Sequence, residues 1–187
     1  MRHHPGGVRI ELPELSDAMV ALRPLRPDDA VPYAAAFEAD PQLGRLLGVE
    51  EDPDVAAVRA RAEQAAARAH DGNEVELAIE VDGFAGAATL HALDWRHRRG
   101  EVGFWLVPDA RGRGLATRAV GLLIGWAFGA LNLLRLEMTT TPNNAGAAAV
   151  AERLGFVREG VLRRRNVERG RRVDLVWFGL LQEEWRG

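Results

Sequence analysis

The sequence predicts a mixed α/β fold in one domain. The chain has 187 residues, and 47% of them are hydrophobic, which is enough for a sizeable core. Strand-like and helix-like segments follow one another with no repeat and no linker-like stretch between them. In the middle of the chain, an apolar strand-like run leads into a glycine loop, and a long apolar-faced helix leaves that loop. Together these observations predict a layered fold built around one sheet.

Capping and turn residues delimit the elements of the first half. Asp28 or Asp29 starts the first helix, because short carboxylates accept hydrogen bonds from the first helical turn. Pro53 stands at the start of an alanine-rich helix, where helices accept proline. Residues 74–81 alternate between apolar and polar, which is typical of a half-exposed strand, and Asp82-Gly83 is a hairpin signal. The predicted elements are strand 19–22, helix 28–38, helix 53–70 and strands 74–81 and 84–93.

The second half adds the strand, loop and helix of the central stretch and a final pair of strands. Asn143 or Asn144 caps a helix that Gly155 closes at the position after its end. The last two strands are joined through Gly170. We expect one domain over residues 1–187, with residues 1–17 as a mobile N-terminal extension. The predicted elements are strand 101–107, helix 115–130, strand 134–141, helix 144–154 and strands 156–162 and 172–181.

The loop over residues 107–116, VPDARGRGLA, is typical of an anion-binding site. The first turn of a helix has unpaired N–H groups and the positive end of the helix dipole. Gly112 and Gly114 let an anion approach the backbone closely, and two arginines add positive charge. The chain has no lysine, which excludes a nucleotide P-loop, and Thr117 stands where a dinucleotide fingerprint needs a third glycine or alanine. A plain tight turn is the alternative.

Composition argues against several other classes of protein. The net charge of −3 disfavours a general nucleic-acid or anionic-membrane binder. The chain has no cysteine, so disulfides and thiolate metal sites are excluded. His91 and His97 have no partners at metal-ligand spacing, and we predict no metal. No apolar run approaches the roughly 20 residues of a membrane span, and the start does not resemble a signal peptide. We expect a cytoplasmic protein.

Five blocks of the sequence, in the same order, resemble the RimJ/RimL-like branch of the GNAT N-acetyltransferases. The loop reads Arg111-x-x-Gly114-x-Ala116, similar to the family's acyl-CoA pyrophosphate loop, [Q/R]-x-x-G-x-[G/A]. The resemblance implies the GNAT fold, a mostly antiparallel sheet of six to seven strands with a splayed central strand pair and about four flanking helices. The other blocks are LRPL…DDA from 22 to 30, EVGFWL from 101 to 106, N-x-x-A-x-x-VA-x-R-x-GF from 144 to 156, and EG-x-LR from 159 to 163 with Asp174.

The same resemblance implies an acetyl-CoA-dependent N-acetyltransferase in which an amine attacks acetyl-CoA directly in a ternary complex. An amine of pKa about 8–10 is mostly protonated at pH 7, so a proton acceptor helps. Glu101 lies where several members carry a general-base glutamate, although a solvated strand end is the alternative. By resemblance, the backbone N–H of Trp105 is the oxyanion donor. The implied cofactor-binding residues are Trp105, Leu106, Val107, Arg111, Gly112, Arg113, Gly114, Leu115, Ala116 and Asn144.

Two positions carry alternatives of their own. Asn144 contacts the pantetheine arm by resemblance, and it is equally a plain helix cap. The branch usually has a serine at position 147, near the sulfur, whereas this chain has Ala147. A thiolate of pKa about 8.5 is a tolerable leaving group, so water can take the place of that serine. The only tyrosine, Tyr33, is expected in the core.

A non-catalytic acyl-CoA-binding or sensing protein of the same fold is the alternative function.

The charged segments leave the acceptor open. The acidic run from Glu50 to Asp54 attracts a cationic amine or is simply a solvated helix start. Residues 163–172 hold six arginines, which bind an acidic substrate or RNA or form a solvated hairpin tip. The expected partners are acetyl-CoA and a small-molecule amine or protein N-terminus, with no DNA and no membrane. The oligomeric state, a homodimer included, stays open.

Overall fold

The structure, a computed structural model, describes residues 9–187. Its strands and helices follow the predicted order, with two short elements added. The strands are β1 (Leu15–Ser16), β2 (Ala21–Pro24), β3 (Val75–Glu80), β4 (Phe84–Asp94), β5 (Arg99–Leu106), β6 (Arg135–Thr140), β7 (Val157–Glu168) and β8 (Arg171–Leu181). The helices are α1 (Ala30–Ala39), α2 (Leu43–Leu46), α3 (Val55–His70), α4 (Leu115–Gly129) and α5 (Ala145–Arg153).

One mixed sheet carries the fold, with strand order β1-β2-β3-β4-β5-β6-β8-β7. All neighbouring strands are antiparallel except β5 and β6. The predicted mixed α/β fold is thus confirmed, and residues 9–187 contain eight strands in place of six to seven and five α-helices in place of about four. The additional elements, β1 and α2, span two and four residues, which is too short for a periodic pattern to reveal them.

The parallel pair β5–β6 separates partway along its length. Pairing runs from Arg99 opposite Arg135 to Glu101 opposite Glu137 and stops there, although both strands continue. This is the predicted splay of the central strands. Beyond Glu101, the edge of β5 that faces β6 has no strand partner, so its backbone groups border an opening in the sheet.

Helices cover both faces of the sheet and divide the core into two clusters. On one face, α4 packs Leu123 and Ile124 against the sheet, and both side chains are fully buried. On the other face, α1 and α3 pack around Trp105. Because both faces are covered, β3 is buried along most of its length, and Glu76 is only 2% exposed. The prediction that this strand is half-exposed is therefore wrong.

The N-terminal segment is packed from Ile10 onward. Ile10 is 4% exposed, and its N–H donates to the Ala69 carbonyl at 3.4 Å. Leu15 and Ser16 pair with β2 as its outer neighbour. The segment predicted as a mobile extension, residues 1–17, thus includes Ile10, which contributes to the core; the mobility of the segment stays a prediction. Residues 1–8 lie outside the described residues.

Candidate active site

The glycine loop turns β5 into α4 through two left-handed residues. Gly112 has φ +73° and Gly114 has φ +76°, conformations that favour glycine because a Cβ would clash with the following carbonyl. Gly114 is the N-cap of α4, and helical conformation begins at Leu115. Within residues 9–187, no side chain caps the N–H groups of the first helical turn, so they are available to an external acceptor.

Arg111 anchors this loop to the rest of the fold. Its Nε donates to the Leu106 carbonyl at 2.9 Å, and its Nη1 lies 2.6 Å from Oδ2 of Asp40, just past the end of α1. Partial burial opposes ionisation of Asp40, but the Arg111 guanidinium and neighbouring backbone N–H groups hold the pKa of that carboxyl below its usual value. Arg111 therefore positions the loop, and Asp40 offsets its charge.

A cavity of about 1090 Å³ opens where β5 and β6 separate. It joins the glycine loop, the start of α4, the start of α5 and the gap-facing side of the two strands. Two predicted cofactor-binding residues, Val107 and Arg113, are not in its lining. The predicted site residues that line it are Glu101, Trp105, Leu106, Arg111, Gly112, Gly114, Leu115, Ala116 and Asn144.

The ladder between β4 and β5 decides which backbone groups face the opening. The Val107 N–H donates to the Ala85 carbonyl at 2.9 Å. Because hydrogen-bonded and non-hydrogen-bonded pairs alternate in an antiparallel ladder, the N–H of Trp105, opposite Ala87, also points at β4. The N–H groups of Phe104 and Leu106 then point the other way, into the gap.

Two predicted backbone roles are corrected by this register. Trp105 does not present its N–H to the cavity, since β4 takes it, and Phe104 does so in its place. Val107 uses its N–H on Ala85 and its carbonyl on the N–H of Ala110, so strand-like pairing with a ligand is left to Leu106. The Trp105 indole instead packs edge-on against Tyr33, with ring centroids 4.8 Å apart.

Glu101 lies at the point where the two strands separate, and its side chain is 19% exposed. The Thr139 hydroxyl on β6 donates to its Oε1 at 2.5 Å. The His91 Nε2 on β4 lies 4.0 Å from its Oε2. Glu101 is therefore a partly buried cavity residue that Thr139 holds from β6, which favours a functional role over the alternative of a solvated strand end.

Sequence reasoning missed His91 and Thr139 as site residues. His91 was considered only as a metal ligand, and it lies directly opposite Glu101 in the β4–β5 ladder. Thr139 reaches Glu101 from a strand 38 positions further along the chain. Only the strand register brings these side chains together, and no motif in the sequence encodes it.

Asn144 is the N-cap of α5, one of the two roles that the sequence analysis considered for it. Its Oδ1 accepts the Ala147 N–H at 3.1 Å and starts α5. The cap uses the amide oxygen only, so the amide nitrogen can still donate to a ligand in the cavity. Ala147 also lines the cavity, so the position where the branch usually has serine is at the site but carries no hydroxyl.

A second cavity of about 590 Å³ adjoins the first. The two share Leu47, His91, Phe104 and Trp105 in their linings. Aromatic side chains and a buried polar network line the second cavity. In that network, Glu76 accepts from the Tyr33 hydroxyl at 3.2 Å and from Arg61 Nε. Burial and the Glu76 carboxylate raise the pKa of Tyr33, which keeps its phenol protonated in the core as predicted.

The acidic run and the arginine-rich hairpin meet beside these cavities. Asp54 caps α3 by accepting the Ala57 N–H at 2.7 Å, which confirms the helix-start interpretation for that residue. Asp52 pairs with Arg169 of the β7–β8 turn, with Oδ1 and Nη2 3.0 Å apart. Next to this pair, Glu168 lines the first cavity, and burial raises the pKa of its carboxyl.

Within residues 9–187, no three side chains of His, Cys, Asp or Glu come together as a metal site would need. The same residues contain no helix with the length and apolarity to cross a membrane.

Comparison with known proteins adds to this geometry. Residues 20–157 match the model of the acetyltransferase (GNAT) domain. The "Putative ribosomal N-acetyltransferase YdaF" of Bacillus subtilis (strain 168) is 34% identical over 172 residues, 90% of this chain and 94% of YdaF. The spermidine N(1)-acetyltransferase of Escherichia coli (strain K12) is 37% identical over 94 residues, 50% of each chain. The structure of Mycobacterium smegmatis RimJ in complex with CoA-disulfide aligns with TM-score 0.83 and 27% identity, covering 92% of this chain and 88% of RimJ.

The chain therefore belongs to the GNAT acetyltransferase family, and it is an N-acetyltransferase. YdaF and RimJ place it in the RimJ/RimL-like branch, as the five sequence blocks indicated.

Proposed function

We propose that the protein transfers the acetyl group of acetyl-CoA to a primary amine, either the α-amine of a protein N-terminus or a small-molecule amine. The observation that carries the proposal is the opening between β5 and β6. It brings Glu101, the gap-facing N–H groups of Phe104 and Leu106, and the start of α4 to one cavity. A carboxylate, backbone donors and an anion site are the groups that acyl transfer from a phosphorylated thioester needs.

The cofactor would lie along the free edge of β5. The N–H groups from Gly112 to Ala116 would hold the pyrophosphate at the positive end of α4. Leu106 would pair with a pantetheine amide as a neighbouring strand does, once Arg111 releases or shares the Leu106 carbonyl. The Asn144 amide nitrogen would donate from the opposite wall. The structure of M. smegmatis RimJ with CoA-disulfide supports a CoA site in this fold.

The reaction is a direct attack by the amine on the thioester carbonyl. The new C–N bond forms while negative charge develops on the carbonyl oxygen, which the Phe104 N–H is oriented to stabilise. The C–S bond then breaks and its electron pair leaves on sulfur. Glu101 accepts the amine proton directly or through a neighbouring group. Since Ala147 offers no hydroxyl, water protonates the thiolate, whose pKa of about 8.5 makes it a tolerable leaving group.

The acceptor would enter through the second cavity, which shares His91, Phe104 and Trp105 with the first. Glu51, a carboxylate in its lining, forms no ion pair within residues 9–187 and is suited to an amine that carries positive charge in solution. The names of the relatives support both acceptor types, since YdaF is named for ribosomal acetylation and the E. coli relative for spermidine.

The test is release of CoA from acetyl-CoA, followed with a thiol reagent against a panel of N-terminal peptides, diamines and polyamines. The chain has no cysteine, so the protein gives no background thiol signal. We expect release that depends on one class of acceptor. Binding of CoA with no release for any acceptor would contradict the proposal.

Glu101→Gln tests the carboxylate, and Glu63→Gln is its matched control. Glu63 is exposed on α3 and lines neither cavity. Loss of a group that takes the proton costs about 10²–10⁴-fold in rate, so we expect at least a hundredfold loss for Glu101→Gln, with CoA affinity unchanged by calorimetry. Glu63→Gln should match the wild type. Undiminished turnover in Glu101→Gln would exclude a catalytic role for the carboxylate.

A further inference from the structure

The β7–β8 hairpin presents a concentration of positive charge that the proposed reaction does not use. Residues 163–172 include six arginines, in a protein whose net charge is −3. Arg169 is taken up by its ion pair with the acidic run. Arg163, Arg165 and Arg171 are exposed and form no ion pair within residues 9–187. The hairpin therefore offers free guanidinium groups to a partner in solution.

An irregularity in the β7–β8 ladder pushes three of these arginines out of the sheet. Regular pairing stops and resumes on either side of it, at the pairs Leu162–Leu175 and Asn166–Val173. Residues 163–165, which we call the arginine bulge, therefore stand opposite Asp174 alone. Arg164 in the middle has φ +53°, a left-handed conformation that is uncommon for a residue with a Cβ.

Side chains of β8 hold the arginine bulge in this conformation. The Asp174 Oδ1 accepts the Arg164 N–H at 2.7 Å, and the Arg172 Nη1 donates to the Arg164 carbonyl at 3.4 Å. Both backbone groups of the left-handed residue thus have partners. Because β7 is the last strand of the sheet, a charged bulge also protects this edge from pairing with another sheet. Protection of an edge requires no particular neighbour, whereas the arginine bulge has one.

That neighbour is the proposed acetylation site. Asn166 directly follows the arginine bulge, Leu175 pairs with the residue before it, and both line the first cavity. The tip of the hairpin reaches the second cavity, because Arg169 pairs with Asp52 and the adjacent Glu51 lines that cavity. An acceptor whose amine lies in these cavities would therefore leave them alongside the hairpin.

We infer that the arginine bulge is a docking surface for an acidic, extended segment of a protein acceptor whose N-terminal amine lies in the cavities. This inference rests on the proposed acetyl transfer and selects the protein N-terminus from the two acceptor classes. Guanidinium groups bind carboxylates through paired hydrogen bonds, so Arg163 and Arg165 suit aspartate and glutamate side chains. A polyamine would instead approach past arginines of its own charge. The exposed aliphatic side chains of Val161, Leu162 and Val167 can contact apolar residues of the same segment.

The surroundings of the arginine bulge favour an acidic peptide over RNA. Residues 157–172 include no aromatic side chain, whereas proteins that bind single-stranded RNA stack its bases on aromatic rings. The acidic run from Glu50 to Asp54 adjoins the hairpin through Asp52, so a long polyphosphate would meet negative charge beside the bulge. A short acidic segment needs only the few exposed arginines.

The first test measures binding and needs no turnover. Three fluorescent peptides share their first residues and a free α-amine, and continue with glutamates, glutamines or lysines. Two exposed charge contacts of ordinary strength correspond to about fivefold in affinity, so the CoA-bound wild type should bind the glutamate peptide at least about fivefold tighter than the glutamine peptide at low salt. High salt should abolish this preference, since it screens exposed charges.

The variant Arg163→Gln/Arg165→Gln should lose the preference for glutamate. It leaves Arg164 and its backbone contacts in place, and thermal unfolding checks that the fold is kept. Arg59→Gln/Arg96→Gln removes the same charge from exposed positions that line neither cavity, and it should keep the preference. Equal affinity of the wild type for the glutamate and glutamine peptides would overturn the inference. Tighter binding of a single-stranded RNA oligonucleotide, lost in the same bulge variant, would overturn it in favour of RNA.

The second test compares acetylation of the same peptides. The wild-type kcat/KM should be at least about fivefold higher for the glutamate peptide than for the glutamine peptide, mostly through KM, and lowest for the lysine peptide. Equal values in an active enzyme, or a polyamine that surpasses all three peptides, would overturn the docking surface and leave acetyl transfer standing. A glutamate peptide that binds through the bulge while no acceptor is acetylated would instead refute the proposed function and support the docking surface.

Discussion

Replacing Gly114 by alanine should weaken CoA binding through backbone strain alone. Gly114 has φ +76° and ψ 0° and is the N-cap of α4. A Cβ built there meets nothing within 4 Å, so the substitution introduces no steric clash with other residues. A residue with a Cβ costs about 1–2 kcal/mol in the left-handed region. The free loop can relax this strain, but a bound pyrophosphate requires the native turn, so the cost falls on binding.

This strain converts to a measurable loss of affinity. At 1.4 kcal/mol for each factor of ten, the CoA dissociation constant should rise about 5- to 30-fold. Calorimetry with CoA measures it, and thermal unfolding shows whether part of the cost falls on the free protein instead.

Gly129→Ala is the matched control, because Gly129 ends the same helix without a left-handed φ and also has open space around it. It should keep the wild-type affinity and gain up to about 1 kcal/mol of helix stability. Gly114→Ala with affinity within twofold of wild type and unchanged stability would refute the reasoning.

Three further changes have defined outcomes. Asp29→Asn leaves the 9%-exposed Arg23 without its bidentate partner, so unfolding should become easier by about 3 kcal/mol in chemical denaturation, whereas the exposed Asp28→Asn should have little effect. Burial opposes ionisation of Asp29, but hydrogen bonds from Arg23 and the Arg26 N–H still lower its pKa. Its stabilisation is therefore present at pH values above the ordinary aspartate pKa of about 3.9 and is lost as the pH falls through the lower folded-state pKa, and Asp29→Asn should lack this part of the acid sensitivity. Arg169→Ala breaks an exposed ion pair with Asp52 and should change the free energy of unfolding by less than about 1 kcal/mol. Because this pair joins two segments beside the cavities, the substitution should change the KM for the acceptor. An unchanged KM would show that the hairpin has no part in acceptor binding. Asn144→Ala should cost about 1 kcal/mol of stability through the lost cap and should also weaken CoA, whereas loss of stability alone would leave Asn144 as a cap only.

Local signals explain why the central stretch could be predicted from sequence. Glycines at 112 and 114 do adopt left-handed conformations, and Asn144 and Gly155 delimit α5 as their chemistry requires. Each of these features depends on a few neighbouring residues. The loop and the helices it connects could therefore be placed before any tertiary contact was known.

The errors concern properties that depend on the rest of the fold. The ladder with β4 fixes which edge of β5 an N–H faces, and a shift of one residue reverses it. The resemblance implies the N–H of Trp105, whereas the N–H that faces the gap is that of Phe104. The alternating pattern of residues 74–81 predicts an exposed Glu76, but α3 covers that face of the strand and buries the side chain. The pair between Asp52 and Arg169 spans 117 positions, and no local pattern could reveal it.

Amide hydrogen exchange at single residues of β5 tests the central claim most directly, namely that CoA occupies the gap where β5 leaves β6. In the free protein, the amides of Phe104 and Leu106 should exchange quickly, because they face the opening, while Trp105 and Val107 are protected by β4. Addition of CoA should slow exchange at Leu106 and at Gly112 to Ala116, and acetyl-CoA should slow Phe104 as well. CoA binding that leaves all of these amides unchanged, or that protects Trp105 in their place, would contradict the account.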